Sequence, residues 1–92
     1  MQRPVREIEA ALAAKGFELR KTHHRYYTYV APDGTKSEAV THVSHGAKEV
    51  GDTLLGQMAR QCCLTKKDFL RLVDCPLSRE DYEALLTEGG HL

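Results

Sequence analysis

The apolar residues of this chain change their spacing at Gly16, and this change limits the folds that the chain can adopt. Before Gly16, apolar residues recur with the spacing of one helical face at four positions: Val5, Ile8, Ala11 and Leu12. This spacing predicts an amphipathic helix over about residues 4–15, with Pro4 suited to its first turn. After Gly16 the repeat shortens to two residues, which is typical of half-buried strands.

Three segments after Gly16 have the character of β-strands. Phe17 and Leu19 alternate with charged residues, and residues 24–30 (HRYYTYV) are rich in aromatic and β-branched side chains. Residues 37–44 alternate between polar and apolar side chains. Because Pro32-Asp-Gly34 between the last two segments is a turn signal, we predict a hairpin there. We predict a loop over residues 46–51.

The second half of the chain returns to helical spacing. We predict a second helix capped by Asp52 or Thr53, a short third helix that starts near Thr65, and a last helix that runs from Ser78 to Gly89. The second helix should place three large apolar side chains in the core: Leu54, Leu55 and Met58.

The element order α-β-β-β-α-α-α predicts an α+β fold. Helices should cover one face of a three-stranded antiparallel sheet and leave the other face open to solvent or a ligand. A chain of 92 residues suits one domain over 1–92, with a core over about 5–73 and a C-terminal helical extension over 74–92. Because no apolar run approaches ~20 residues and the start lacks a signal-peptide pattern, we expect a cytoplasmic protein with no membrane partner.

Charge is balanced over the chain but not along it. Residues 1–67 carry eleven Lys and Arg against seven Asp and Glu, a net charge of +4, whereas residues 68–92 carry a net charge of −4. The basic part could meet a polyanion, and the acidic part would then lie away from it.

The densest chemistry lies in residues 20–27 (RKTHHRYY), which hold three cations, two imidazoles and two phenols. Imidazole titrates near neutral pH and can therefore give or take a proton in the cell. RNA carries its own nucleophile, the 2′-hydroxyl, so its cleavage needs only a proton-transfer group near the sugar and cations on the phosphate. The cluster therefore favours RNA as a ligand, and a basic hairpin with surface histidines is the simpler interpretation.

Four motifs follow one another along the chain and together resemble the HicA family of toxin–antitoxin ribonucleases. Ala13-Ala-Lys-Gly-Phe17 is similar to the family's Gly-Phe segment, and Lys21-Thr-His-His-Arg-Tyr-Tyr27 is similar to its Gly-Ser-x-His box. A Pro-Asp-Gly hairpin and His45-Gly-Ala-Lys-Glu-Val50, similar to the family's His-Gly-x-Lys-Glu-Leu, follow in order. The resemblance covers roughly residues 5–73 and implies a fold like that of double-stranded-RNA-binding domains.

The resemblance also implies a function and a set of residues. It implies a toxin that cleaves mRNA by histidine-based transesterification without a metal or other cofactor, and that a separate HicB-like antitoxin neutralises by masking the basic side of the sheet. The catalytic position falls on His24, which we favour, or on His23. We predict RNA contacts from five further residues: Arg20, Lys21, Arg25, His45 and Lys48.

Two other classes of function stay open at this point. A small RNA-binding module without catalysis would share the fold and the basic cluster, and a protein-interaction or metal-binding domain is the third possibility. His42 and His45 have an H-x-x-H spacing, but no standard zinc-ligand pattern accompanies it. For His45, positioning of the loop before the second helix is the alternative to direct RNA contact.

Overall fold

The computed structural model describes residues 2–44, 46–74 and 76–92. The described residues form nine helices and strands: β1 (Arg3–Pro4), α1 (Val5–Ala14), β2 (Phe17–Lys21), β3 (Arg25–Val30), β4 (Lys36–Val43), β5 (Glu49–Val50), α2 (Asp52–Gln61), α3 (Lys66–Val73) and α4 (Arg79–Glu88). The predicted α+β class is confirmed. Within the described residues, no helix combines the length and the hydropathy needed to span a bilayer.

The main sheet has the strand order β2-β3-β4, and both pairs of strands are antiparallel. A second, two-residue ladder joins β1 to β5, where the sequence predicted only a loop. This prediction of a loop over 46–51 was wrong for Glu49 and Val50, because a ladder of two residues is too short to show alternation. The ladder ties the residues before α1 to those before α2, and Val5 N–H donates to the Lys48 carbonyl at 2.9 Å.

Strand alternation divides the sheet into a covered and an open face. In β4, the side chains of Ser37, Ala39, Thr41 and Val43 are buried, and the four that alternate with them, from Lys36 to His42, are exposed. The register aligns the outward side chains of β2, β3 and β4 in two rows, Glu18–Thr28–Val40 and Arg20–Tyr26–His42. We call these six residues the open face.

An irregularity in the hairpin sets this alignment. Val30 pairs with Lys36, and that register alone would place Tyr26 opposite Val40. A shift between Thr28 and Val30 moves the pairing by two residues, so that Tyr26 lies opposite His42 instead. Bulges of this kind re-aim side chains within a sheet.

Gly16, between α1 and β2, is in the left-handed region with φ +98°. A Cβ atom there would lie 2.9 Å from Tyr29 Cε1 and 2.6 Å from Arg79 Nε. Glycine is therefore required both by the backbone angle and by the lack of space, which gives a physical reason for the Gly-Phe pair at this point.

Two of the predicted helix starts are confirmed and one is wrong. Thr65 Oγ1 accepts from Asp68 N–H and Ser78 Oγ accepts from Asp81 N–H, both at 3.1 Å. The helix α2 is preceded by Gly51, with no side-chain cap, in place of the predicted Asp52 or Thr53. Asp52 instead forms an ion pair with Lys66 of α3.

The core prediction for α2 was right for Leu55 and Met58 and wrong for Leu54, which is 51% exposed. The buried stripe of α2 runs through Leu55, Met58 and Ala59, and Leu54 lies at the edge of that stripe.

The C-terminal segment completes the core on the covered face. Tyr82 of α4 is fully buried, its ring stacks on Phe17 at 5.7 Å, and its hydroxyl donates to the Cys62 carbonyl at 2.8 Å. Arg79 donates to the Val30 carbonyl at 3.0 Å. These contacts lie at the end of the sheet opposite the loop that joins β2 to β3.

Candidate active site

A three-residue loop over 22–24 joins β2 to β3 and carries both adjacent histidines. Thr22 N–H donates to the His24 carbonyl at 3.0 Å, next to the last strand pair, Lys21 with Arg25. The loop leaves His23 exposed and His24 half-buried. The two neighbouring histidines therefore have different surroundings.

The His24 ring lies against two rings of the open face. Its centroid is 5.1 Å from that of His42 and 6.1 Å from that of Tyr26, and Tyr26 and His42 are 5.4 Å apart. We call His24, Tyr26 and His42 the ring cluster. Arg20 occupies the third position of the same row and is exposed, so a cation borders the cluster on β2.

One polar atom of the ring cluster lacks a partner. His24 Nδ1 is buried and has no hydrogen bond to any of the described residues. An unmet buried polar atom costs about 1–3 kcal/mol unless water or a ligand satisfies it. The site therefore has unused hydrogen-bonding capacity on the imidazole that the sequence singled out.

The predicted cations fall into two groups. Arg20 lies on the open face, whereas Lys21 and Arg25 are paired on the opposite side of the sheet. Arg25 Nε lies 3.1 Å from Glu9 Oε1 of α1, so this guanidinium already has an anionic neighbour. Lys48 is exposed and lines a shallow cleft together with Arg25. His45 lies outside the described residues.

Tyr27 lies under the loop on the covered face. Burial, followed by the charge of Glu9 and a hydrogen bond to it, raises the pKa of Tyr27 to about 12, and Arg25 opposes this shift. Tyr27 is therefore a structural phenol, whereas Tyr26 on the other face is half-buried and accessible to a ligand.

The described cysteines do not offer an activated nucleophile. Burial raises the pKa of the Cys62 thiol, with the nearby Cys63 adding to the shift, and burial also raises the pKa of Cys63. Thiol chemistry needs the thiolate, so both groups are poorly suited to it. The described residues also contain no group of three or more His, Cys, Asp or Glu side chains placed to hold a metal ion.

Sequence reasoning missed His42 as part of this site. The sequence contained a usable signal, because the two-residue alternation of 37–44 puts His42 on the same face as Val40. Its position opposite Tyr26 depends on the shift in the hairpin register, which the sequence does not reveal.

The fold and site define a small α+β protein in which an exposed sheet face presents an imidazole–aromatic cluster beside a cation. The sequence model of the family described as HicA toxin of bacterial toxin–antitoxin matches residues 5–64. This match covers more than half of the chain, and the chain therefore belongs to the HicA toxin family. Comparisons with curated proteins and with solved structures gave no match.

Proposed function

We propose that this toxin cleaves mRNA without a metal and that His24 transfers a proton in the reaction. The observation that carries the proposal is the environment of His24. Its ring is half-buried at the end of the sheet, its Nδ1 lacks a partner among the described residues, and it borders the row that contains Arg20.

The chemistry requires no group that these residues do not supply. The 2′-oxygen forms its bond to the adjacent phosphorus while the bond from phosphorus to the 5′-oxygen breaks. An imidazole within about 2.6–3.2 Å of one of these oxygens can take the proton of the 2′-hydroxyl or give one to the 5′-oxygen, and water exchanges the other proton. Negative charge grows on the phosphate during the attack, and a cation such as Arg20 stabilises it. Tyr26 offers a flat, half-buried ring on which an unpaired base could stack.

The other predicted RNA contacts have different strengths of support. Arg20 is exposed beside the ring cluster, and it is the contact that the geometry supports best. Lys21 and Lys48 are exposed and free of any role in the core, so they are available to flanking phosphates. Arg25 is already paired with Glu9, so it would have to contact RNA while it keeps that ion pair.

We propose that a HicB-like antitoxin neutralises the toxin by covering the open face and the loop over 22–24. The open face has the exposed surface that such a partner needs, because no described helix packs on it. A protein that covers His24 would also exclude RNA from Arg20.

Incubation of purified protein with RNA in a metal chelator tests the proposal. An endoribonuclease cuts the RNA under these conditions. A non-catalytic RNA-binding module of the same fold, the alternative function, retards the RNA in a gel and leaves it intact. Indifference to RNA would contradict both.

The partner is tested with the product of the adjacent reading frame. We expect it to form a stable complex with the toxin and to stop cleavage when added in equimolar amount. Absence of a complex would contradict the partner proposal and leave the nuclease proposal standing.

A further inference from the structure

His42 is a second imidazole beside His24 that the proposed function does not use. Its neighbours in β4, Thr41 and Val43, are buried on the covered face, so alternation holds His42 on the open face. Its ring centroid lies 5.1 Å from that of His24, which approaches from a different element, the loop over 22–24.

Building on the proposed function, we propose that His42 is a second catalytic residue and that His24 and His42 act as an acid/base pair on a single RNA phosphodiester. The two rings are close enough to reach two oxygens of the same phosphate group. Because the two side chains come from different elements, they can approach those oxygens from different directions. Two neighbours in one strand point to opposite faces of the sheet and could not both reach the same phosphate.

The reaction balances with these two groups alone. The neutral imidazole removes the proton of the 2′-hydroxyl while the 2′-oxygen forms its bond to phosphorus. The protonated imidazole gives its proton to the 5′-oxygen while the bond between phosphorus and that oxygen breaks. The products are a 2′,3′-cyclic phosphate and a free 5′-hydroxyl, and exchange of protons with water restores the starting forms of both rings.

Charged and titratable groups surround the pair on several elements. Tyr26 of β3 lies beside both rings, Arg20 of β2 completes the row, and His23 precedes His24 in the loop. Glu49 of β5 lines a cleft together with His42. Arg20 is the cation of this set that would stabilise the phosphate, and Glu49 is its one anion.

A packing role is the competing explanation for His42. The rings of Tyr26 and His42 are 5.4 Å apart, and aromatic cross-strand pairs stabilise sheets without any catalysis. A packing role predicts that an aromatic side chain without a titratable nitrogen restores function, whereas proton transfer predicts that it does not.

The first test is the dependence of kcat/KM on pH, measured in chelator with a short synthetic RNA. Wild type should show a bell-shaped profile, because one imidazole must be neutral and the other protonated. H42N and H42F should each lose at least 10²-fold in rate and retain only one limb of the bell. The matched control is H91N, which changes a histidine paired with Glu38 far from the loop, and its profile should equal that of wild type.

The second test uses RNA with a sulfur in place of the 5′-bridging oxygen at the cleavage site. A thiolate leaves without protonation, so this substrate should restore the rate of the variant that lacks the acid and not of the variant that lacks the base. We expect it to rescue one of H24N and H42N and not the other. Rescue of both variants or of neither would overturn the assignment of His24 and His42 as an acid/base pair.

The outcomes separate this inference from the proposed function. If H24N is inactive while H42N or H42F keeps both limbs and a rate within a few-fold of wild type, His42 has no part in proton transfer and the nuclease proposal survives. If wild type does not cleave RNA at all, the proposed function itself is wrong.

Discussion

The two adjacent histidines of the loop allow a direct test at the scale of single residues. We predict that H24A abolishes RNA cleavage and growth inhibition, because it removes the imidazole that borders Tyr26 and His42. H23A is the matched control, since His23 is exposed and has no ring contact among the described residues. Growth curves after induction and RNA cleavage in chelator measure the effect, and thermal unfolding checks that both variants fold.

The opposite result would reassign the site. If H24A keeps its activity and H23A loses it, His23 carries the proton transfer. The ring cluster would then be a packing feature of the open face.

The raised pKa of Tyr27 predicts how the stability of the fold depends on pH in the alkaline range. The pKa of Tyr27 is raised to about 12 in the folded protein, chiefly by burial, against roughly 10 in an unfolded chain. Well below pH 10 the Tyr27 hydroxyl is protonated in both states, and its contribution to the free energy of unfolding is complete. Between pH 10 and 12 the unfolded state ionises first, so the free energy of unfolding falls as pH rises.

Replacement of Tyr27 by Phe removes this titration. Urea unfolding measures the free energy of unfolding at each pH between 9 and 12. Its decrease over this range should be smaller in Y27F than in wild type by about 1–2 kcal/mol. Tyr29 and Tyr82, whose pKa values burial also raises, keep titrating in both proteins and cancel in the comparison. Identical slopes for the two proteins would contradict the assignment.

The place of a residue in the site could be predicted where its neighbours in space are also its neighbours in sequence. Arg20, His24 and Tyr26 lie within seven positions of one another, so their cluster is visible in the sequence. His42 joins them only through the pairing of β3 with β4, which includes a shift of register. Leu54 was misplaced for a related reason, because the direction of a side chain at the edge of a helical stripe depends on where neighbouring elements lie.

At the scale of elements, the connection between α1 and β2 is the most sensitive position. We predict that G16A lowers the free energy of unfolding by about 2–4 kcal/mol, since the new methyl group meets Tyr29 and the backbone must keep φ +98°. G34A is the matched control. Gly34 has φ +91° with nothing within 4 Å of its Cβ position, so only the backbone strain applies and the loss should be about 1–2 kcal/mol.

Chemical denaturation of the two variants measures the difference. Equal losses would show that Tyr29 and Arg79 move aside without a penalty and that packing at this connection is loose.

Helices and strands were predictable to the extent that their signals are repeated or chemically specific. The period of two over 37–44 and the hydroxyl caps at Thr65 and Ser78 gave elements close to those observed. The ladder of β1 with β5 gave no such signal, because each strand has two residues and their partners are distant in sequence. The start of α2 was ambiguous because Asp52 and Thr53 are both good capping residues, and the helix uses neither.

At the scale of the whole molecule, the acidic helix α4 lies away from the loop that carries the adjacent histidines. The net −4 of residues 68–92 includes α4, which packs at the end of the sheet near Val30. The loop with His23 and His24 is at the other end. A polyanion would therefore be repelled from one end of the molecule and accepted at the other, and this preference should weaken with salt.

The core extends beyond the family match, which ends at Leu64. We predict that Y82A lowers the free energy of unfolding by about 3–5 kcal/mol, because a fully buried ring that stacks on Phe17 would leave a cavity. L85A, three positions along the same helix at a side chain that is 37% exposed, should cost well under half as much. Similar small losses for both variants in urea unfolding would show that α4 is dispensable.

The way in which the last residues close the molecule has a consequence for its synthesis. His91 accepts a backbone hydrogen bond from Glu38 of β4 at 2.9 Å, and Leu86 is fully buried in the same core as Ile8. A nascent chain that is still inside the ribosome at these positions lacks part of the interior on which its sheet rests. We therefore expect that products of termination before Leu86 have an incomplete core and are more readily degraded than the full chain.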